Sequence, residues 1–131
     1  EVTDFASADP DETASRVGNE LPGTPHFQAT ASVDYSVPIA EDYMLSGALW
    51  ANHITGAYRD IENTVALRSD KRTQVNARLT LADNVNGWSV YAFAENIFDE
   101  RYVSSVRSLV GMLGNYYGAP RTGGVGLRYE F

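Results

Sequence analysis

The sequence predicts an all-β chain folded as an antiparallel up-and-down meander of about five strands. Three observations predict it. Segments of strict apolar–polar alternation recur along the 131 residues. Short connections rich in turn formers alternate with long ones. Aromatic residues collect near the predicted strand ends.

The first strand is the clearest. In "FQATASVDYSV", Phe27, Ala29, Ala31, Val33, Tyr35 and Val37 alternate with Gln28, Thr30, Ser32, Asp34 and Ser36. That period of two places the two sets of side chains in different environments. "PIAED" (38–42) is a short turn, and Tyr43–Ile54 is the second strand, with apolar or aromatic residues on both faces. Residues 55–72 form a long connection. "QVNARLTL" is the third strand, with Val75, Ala77, Leu79 and Leu81 on one face and Gln74, Asn76, Arg78 and Thr80 on the other. Arginine introduced at Ala77 is therefore expected to be costly, and at Asn76 to cost much less. "DNVNG" (83–87) is the second short turn. Trp88–Phe98 is the fourth strand, again mixed on both faces, and 99–119 is the second long connection. The last strand alternates Val125, Leu127, Tyr129 and Phe131 with Gly124, Gly126, Arg128 and Glu130 to the final residue.

All the tight turns thus fall at one end and the long loops at the other. Outer-membrane barrels share this asymmetry and these strand lengths. Tyr35, Tyr43, Trp88, Tyr129 and Phe131 sit near the short-turn end, where a girdle at a membrane interface would lie. Phe27, Phe98 and Tyr102 lie near the other. A soluble barrel or sandwich alternates in the same way, but the many alanines and few bulky core fillers suit a lipid-facing surface better.

Composition excludes other classes. The net charge of −7, with no basic stripe, argues against nucleic acid as a partner. Residues 1–20 carry six acids against one arginine, a net −5, so 1–24 is expected to be an acidic external loop or tail and 25–131 the strands. The absence of cysteine rules out disulfides and thiolate metal sites. No run of about 18 apolar residues is present, so a transmembrane helix is excluded. The chain opens on Glu1 and is expected to be a processed product or a piece of a longer one.

Three motifs in order give a resemblance. "GNELPGTPHFQATASVDYSV", "ENIFDERY" and "GAPRTGGVGLRYEF" together resemble the C-terminal end of a TonB-dependent outer-membrane receptor, over residues 18–131. That family shows Gly-x-x-Leu-Pro-x-x-Pro before a strand, matched by Gly18 to Pro25. It shows Asn-Leu-Phe-Asp-x-x-Tyr at a strand end, matched by Asn96, Phe98, Asp99 and Tyr102 with Ile97 in the Leu place. It shows Pro-Arg before a last strand ending in Phe, matched by Pro120, Arg121 and Phe131. The resemblance implies a plugged barrel of about 22 strands, of which these are the last five. It also implies a Gram-negative outer-membrane location with a periplasmic C-terminus, and a non-enzymatic active importer. A ferric siderophore or similar small ligand would enter from outside, and a TonB-type energy-transducing complex would drive its release. Outer-membrane lipid and the barrel-assembly machinery complete the implied partners, the latter reading Gly126, Tyr129 and Phe131 as a terminal signal. Gly124 stands where that signal commonly has a polar residue. The implied plug and energy-coupling segment are not within these residues. A passive porin or structural barrel, and a soluble β-barrel binding an apolar ligand, are the rival readings.

No catalytic residue, cofactor site or metal site is expected. His26 and His53 have no cysteine to join them, and Asp99 with Glu100 reads as a turn closing a strand. "GMLGNYYG" and "TGGVG" lack phosphate-cradle spacing; Gly124 and Gly126 instead suit a bent or closely packed strand. Among the cations, Arg78, Arg72 and Arg59 are the candidates for attracting an anionic ligand, with Arg68 and Lys71 nearby. The stronger reading pairs lumen arginine with a plug carboxylate, or sets loop cations against lipopolysaccharide phosphates. Tyr116 and Tyr117 could stack on a ligand.

Overall fold

The computed structural model describes residues 16–109 and 112–130. Glu1, Asp4, Asp9, Asp11 and Glu12 of the acidic segment, and Phe131, lie outside the described residues. Among the described residues seven strands form: β1 (Gln28–Pro38), β2 (Tyr43–Ile54), β3 (Arg72–Asp83), β4 (Trp88–Glu95), β5 (Val103–Leu109), β6 (Met112–Tyr117) and β7 (Thr122–Tyr129). The antiparallel order β1-β2-β3-β4-β7 is the expected five-stranded meander, and β5-β6 is a separate two-stranded sheet. The segment 99–119 is therefore not a plain loop: it contains a hairpin. Glycines and a polar mixture hid it, because its strands are short and only weakly alternating.

The chain divides into two compact units. The first comprises the five-stranded sheet, and its register sorts side chains into two faces. Ala77 pairs with Ala94, Leu79 with Ala92 and Leu81 with Val90. Across the next ladder Val90 pairs with Leu127, Ala92 with Val125 and Trp88 with Tyr129. Val33, Tyr35 and Leu49 line one shallow trough with Ala77, Leu79 and Ala92, which extends this face across β1 and β2. The faces of β2 and β4 that alternation alone left open are thereby fixed. The tight-turn end of this apolar face carries Tyr35, Tyr43, Trp88 and Tyr129, with the Tyr43 and Trp88 rings 6.0 Å apart.

This unit is inside-out relative to a domain stabilised by an apolar core. Val125 is 81% exposed, Val33 68% and Leu79 54%, whereas its buried polar residues are Asn76, Asp83 and Asn96. In water each such exposed side chain forgoes roughly 1.5–3 kcal/mol of burial. Among the described residues no helix is long and apolar enough to cross a membrane; strands cross by pairing their backbone groups with one another.

The second unit is built from residues 16–28, 54–72 and 101–118. Residues 16–24 are held in place rather than trailing. Asn63 Oδ1 accepts from the Glu20 amide at 2.6 Å, and Asn63 Nδ2 donates to the Glu20 carbonyl at 3.0 Å. Arg16 pairs with Glu62 at 2.6 Å, and the Gly23 amide donates to the Tyr58 carbonyl at 2.7 Å. The buried apolar residues among the described residues, Ala57, Tyr102 and Val106, all belong to this unit. Tyr102 is thus a core residue, not the rim aromatic expected from its position, while Phe27 and Phe98 are exposed.

Candidate functional site

Two constellations carry the sequence-predicted residues of the sheet unit. At the ends of β4 and β7, Asn96 sits only 1% exposed with φ +49°, a left-handed conformation that Asn tolerates better than most residues. This ends β4 at Glu95 rather than at Phe98. Asn96 Nδ2 donates to the carbonyls of Glu100 and Ala119, both at 3.0 Å, and its Oδ1 accepts from the Glu100 amide at 2.9 Å. Asp99 Oδ1 accepts from the Arg121 amide at 3.0 Å. Thr122 Oγ1 donates to the Pro120 carbonyl at 3.1 Å. The motif residues Asn96, Asp99, Pro120 and Arg121 are therefore a clamp that starts the last strand beside β4.

Asn76 belongs to the same clamp. Its Oδ1 accepts from the Asn96 amide at 2.9 Å and it is buried. This corrects the expectation that arginine at Asn76 would be cheap: the change would strip a buried donor of its partner. Alternation gives the face of a residue, not the long-range bond that fills it.

On the polar face, Arg78 lies with its guanidinium 3.9 Å from the Tyr91 ring centroid. Tyr91 in turn pairs with Gly126 and Phe93 with Gly124. A Cβ built on Gly126 would lie 2.5 Å from Tyr91 Oη, and one on Gly124 2.9 Å from Phe93 Cε1. The glycines of "TGGVG" thus seat two rings flat on the sheet, which gives Gly126 a packing role in addition to the expected terminal one. Gly126→Ala is expected to cost about 1–3 kcal/mol by overpacking. In a double-mutant cycle measured by urea unfolding, most of that cost should vanish when Tyr91 is also alanine.

The other candidates lie in the second unit. Arg72 stacks on Tyr102 at 4.9 Å, and a side chain on Gly118 would overlap that ring. Arg59 Nη2 donates to the Ser104 carbonyl at 3.4 Å, and Arg68 lies 5.1 Å over Tyr58. The arginines therefore make separate ring or carbonyl contacts rather than one basic cluster. His26 pairs with Glu20 at 2.9 Å, and His53 shares a 2.8 Å hydrogen bond with Thr73 in the sheet unit. Among the described residues, no three His, Asp or Glu side chains converge as a metal site.

At the tight-turn end Asp83 organises the β3–β4 turn. Its Oδ1 accepts from the amides of Val85 at 2.9 Å and Asn86 at 2.8 Å, and its Oδ2 from Asn86 Nδ2 at 2.9 Å. Asp83→Ala should therefore speed amide exchange at Val85 and Asn86, whose amides lose their acceptor.

Taken together, these groups can position strands and offer rings and cations for recognition. No known protein family, curated protein or solved structure matches the chain.

Proposed function

We propose that the chain contributes the last five strands of a larger outer-membrane β-barrel, and that the barrel is an energised importer of the TonB-dependent kind. The observation that carries the membrane part is the inside-out sheet. One face runs apolar and exposed through Val33, Leu49, Leu79, Val90, Val125 and Leu127, bordered at the tight-turn end by aromatic residues. The other face holds Arg78, the seated rings and a hydroxyl pair, Ser36 to Ser46 at 2.8 Å. Lipid on the first face removes the exposure penalty, and a water-filled or protein-filled lumen suits the second. A soluble β-barrel would turn the apolar face inward and the Arg78 face to water, and would then carry the Tyr91 and Phe93 rings on its outside.

Five strands leave two edges, which in lipid would cost several kcal/mol for each unpaired backbone group. The barrel therefore needs further strands, and β7 pairs onward with one of them. The importer part rests on the three-motif resemblance, and the clamp around Asn96 and Asp99 supplies a physical reason for those motif residues. The cargo on this reading is a scarce small ligand such as a ferric siderophore. Energy would come from a periplasm-spanning complex acting on a plug.

Translation of the reading frame upstream of Glu1 tests this. A plug domain and a signal peptide, with loss of energy-dependent ferric-siderophore uptake on gene deletion, are the expected result. A barrel without a plug would replace the importer by a passive pore. A start codon and signal peptide directly before Glu1 would contradict the larger barrel. Removal of Phe131 is expected to lower the amount of assembled protein in the outer membrane, read by heat-modifiable migration; unchanged amounts would contradict the terminal-signal role.

A further inference from the structure

The β5–β6 hairpin has two different sides. In an antiparallel pair, directly opposed residues share a side and successive pairs alternate. Val106, opposite Asn115, is buried and supplies the small core of its unit. The alternate side carries Arg107 opposite Gly114, Ser105 opposite Tyr116, and Met112. Tyr116 is 56% exposed and Met112 76%, and the Arg107 guanidinium lies 5.8 Å from the Tyr116 ring centroid. Gly114 leaves the floor open: a Cβ there would meet nothing nearer than the Arg107 carbonyl oxygen at 3.9 Å. The side is a shallow saddle, with an aromatic wall, a thioether wall and a single cation.

Charge selects what fits it. Arg107 is the only charged residue from Val103 to Tyr117, in a chain of net charge −7. A cationic ligand would meet repulsion at the one charged point of the saddle. A bare inorganic anion would leave Tyr116 and Met112 without use, and an uncharged aliphatic ligand would leave Arg107 so. We propose that this side of the hairpin binds a small aromatic anion, its ring against Tyr116 above Gly114 and its acidic group on Arg107. The inference rests on the importer reading and deepens it, naming the chemical class of cargo that the hairpin meets first.

The test uses the full-length protein reconstituted in lipid nanodiscs, with 2-naphthoate as probe and saturation-transfer NMR titration as the readout. Naphthoate affinity is expected to fall about fivefold or more in Arg107→Gln and in Tyr116→Ala, and to be largely kept in Arg107→Lys. Cyclohexanecarboxylate and 2-naphthylmethylammonium are each expected to bind about fivefold or more weakly than naphthoate to the unaltered protein. Equal naphthoate affinity in the unaltered protein and Arg107→Gln, or equal binding of the aromatic cation, would overturn the site. Both altered side chains are solvent-facing, and heat-modifiable migration checks the barrel in each variant. Absence of a heat-modifiable form of the unaltered protein rejects the membrane barrel itself; a folded barrel that binds naphthoate without discrimination rejects only the hairpin site.

Discussion

Arginine placed at Ala77 is expected to destabilise the assembled barrel by about 2–4 kcal/mol, the range for a cation on the lipid face near the midplane. Ala77 lies midway along β3, pairs with Ala94, and borders the exposed apolar trough. A guanidinium there must either enter hydrocarbon or drag water and headgroups toward the membrane centre, and a mid-strand position is too deep for easy snorkelling. The proper partner for comparison is Ser32→Arg. Ser32 lies midway along β1, exposed on the opposite face, between Thr30 and Asp34. Its replacement should cost less than about 1 kcal/mol, as for other lumen positions. Urea unfolding of the full-length protein in lipid vesicles checks both. Equal costs at the two positions would reverse or remove the assignment of faces.

Asn96→Ala is the second change expected to have a large effect, about 3–5 kcal/mol from several unpaired buried groups together. It removes the acceptor of the Glu100 amide and the donor to the carbonyls of Glu100 and Ala119. It also forces alanine into the left-handed conformation at φ +49°. Asn96→Gly relieves only the backbone part and should recover roughly 1 kcal/mol of the loss. The same unfolding measurement reads both, and hydrogen exchange should place the new opening at the start of β7. A loss below 1 kcal/mol in Asn96→Ala would mean that the clamp does not hold the last strand.

The five-stranded meander was legible in the sequence because its strands carry a two-residue period, and period is a local property. Strands β1, β3 and β7 announced their apolar face directly. β2 and β4 did not, since Trp50 alternates with the trough residue Leu49, and Tyr91 and Phe93 with Val90 and Ala92, which puts large rings on the polar face. What makes Tyr91 and Phe93 acceptable is the pair Gly124 and Gly126 on the neighbouring strand, and a cross-strand seat has no signature within either strand alone. The hairpin was missed for a related reason: Val106, its one buried side chain among those described, finds its place only when the segments 54–72 and 101–118 fold together. Asn96 and Asp99 stood out through their motif, yet the bond from Asn96 to Asn76 spans 20 residues and reads from neither end.

Single-cysteine spin labelling along β3 and β4 of the full-length protein in vesicles tests the central assignment most directly. These residues contain no native cysteine to compete. Labels at positions 77, 79, 90 and 92 should show high collision rates with oxygen and low rates with a water-soluble nickel complex, and labels at 78, 80, 89 and 91 the reverse. A two-residue alternation between the reagents is the predicted result. Uniform access of the nickel complex to both sets would contradict the lipid-facing sheet.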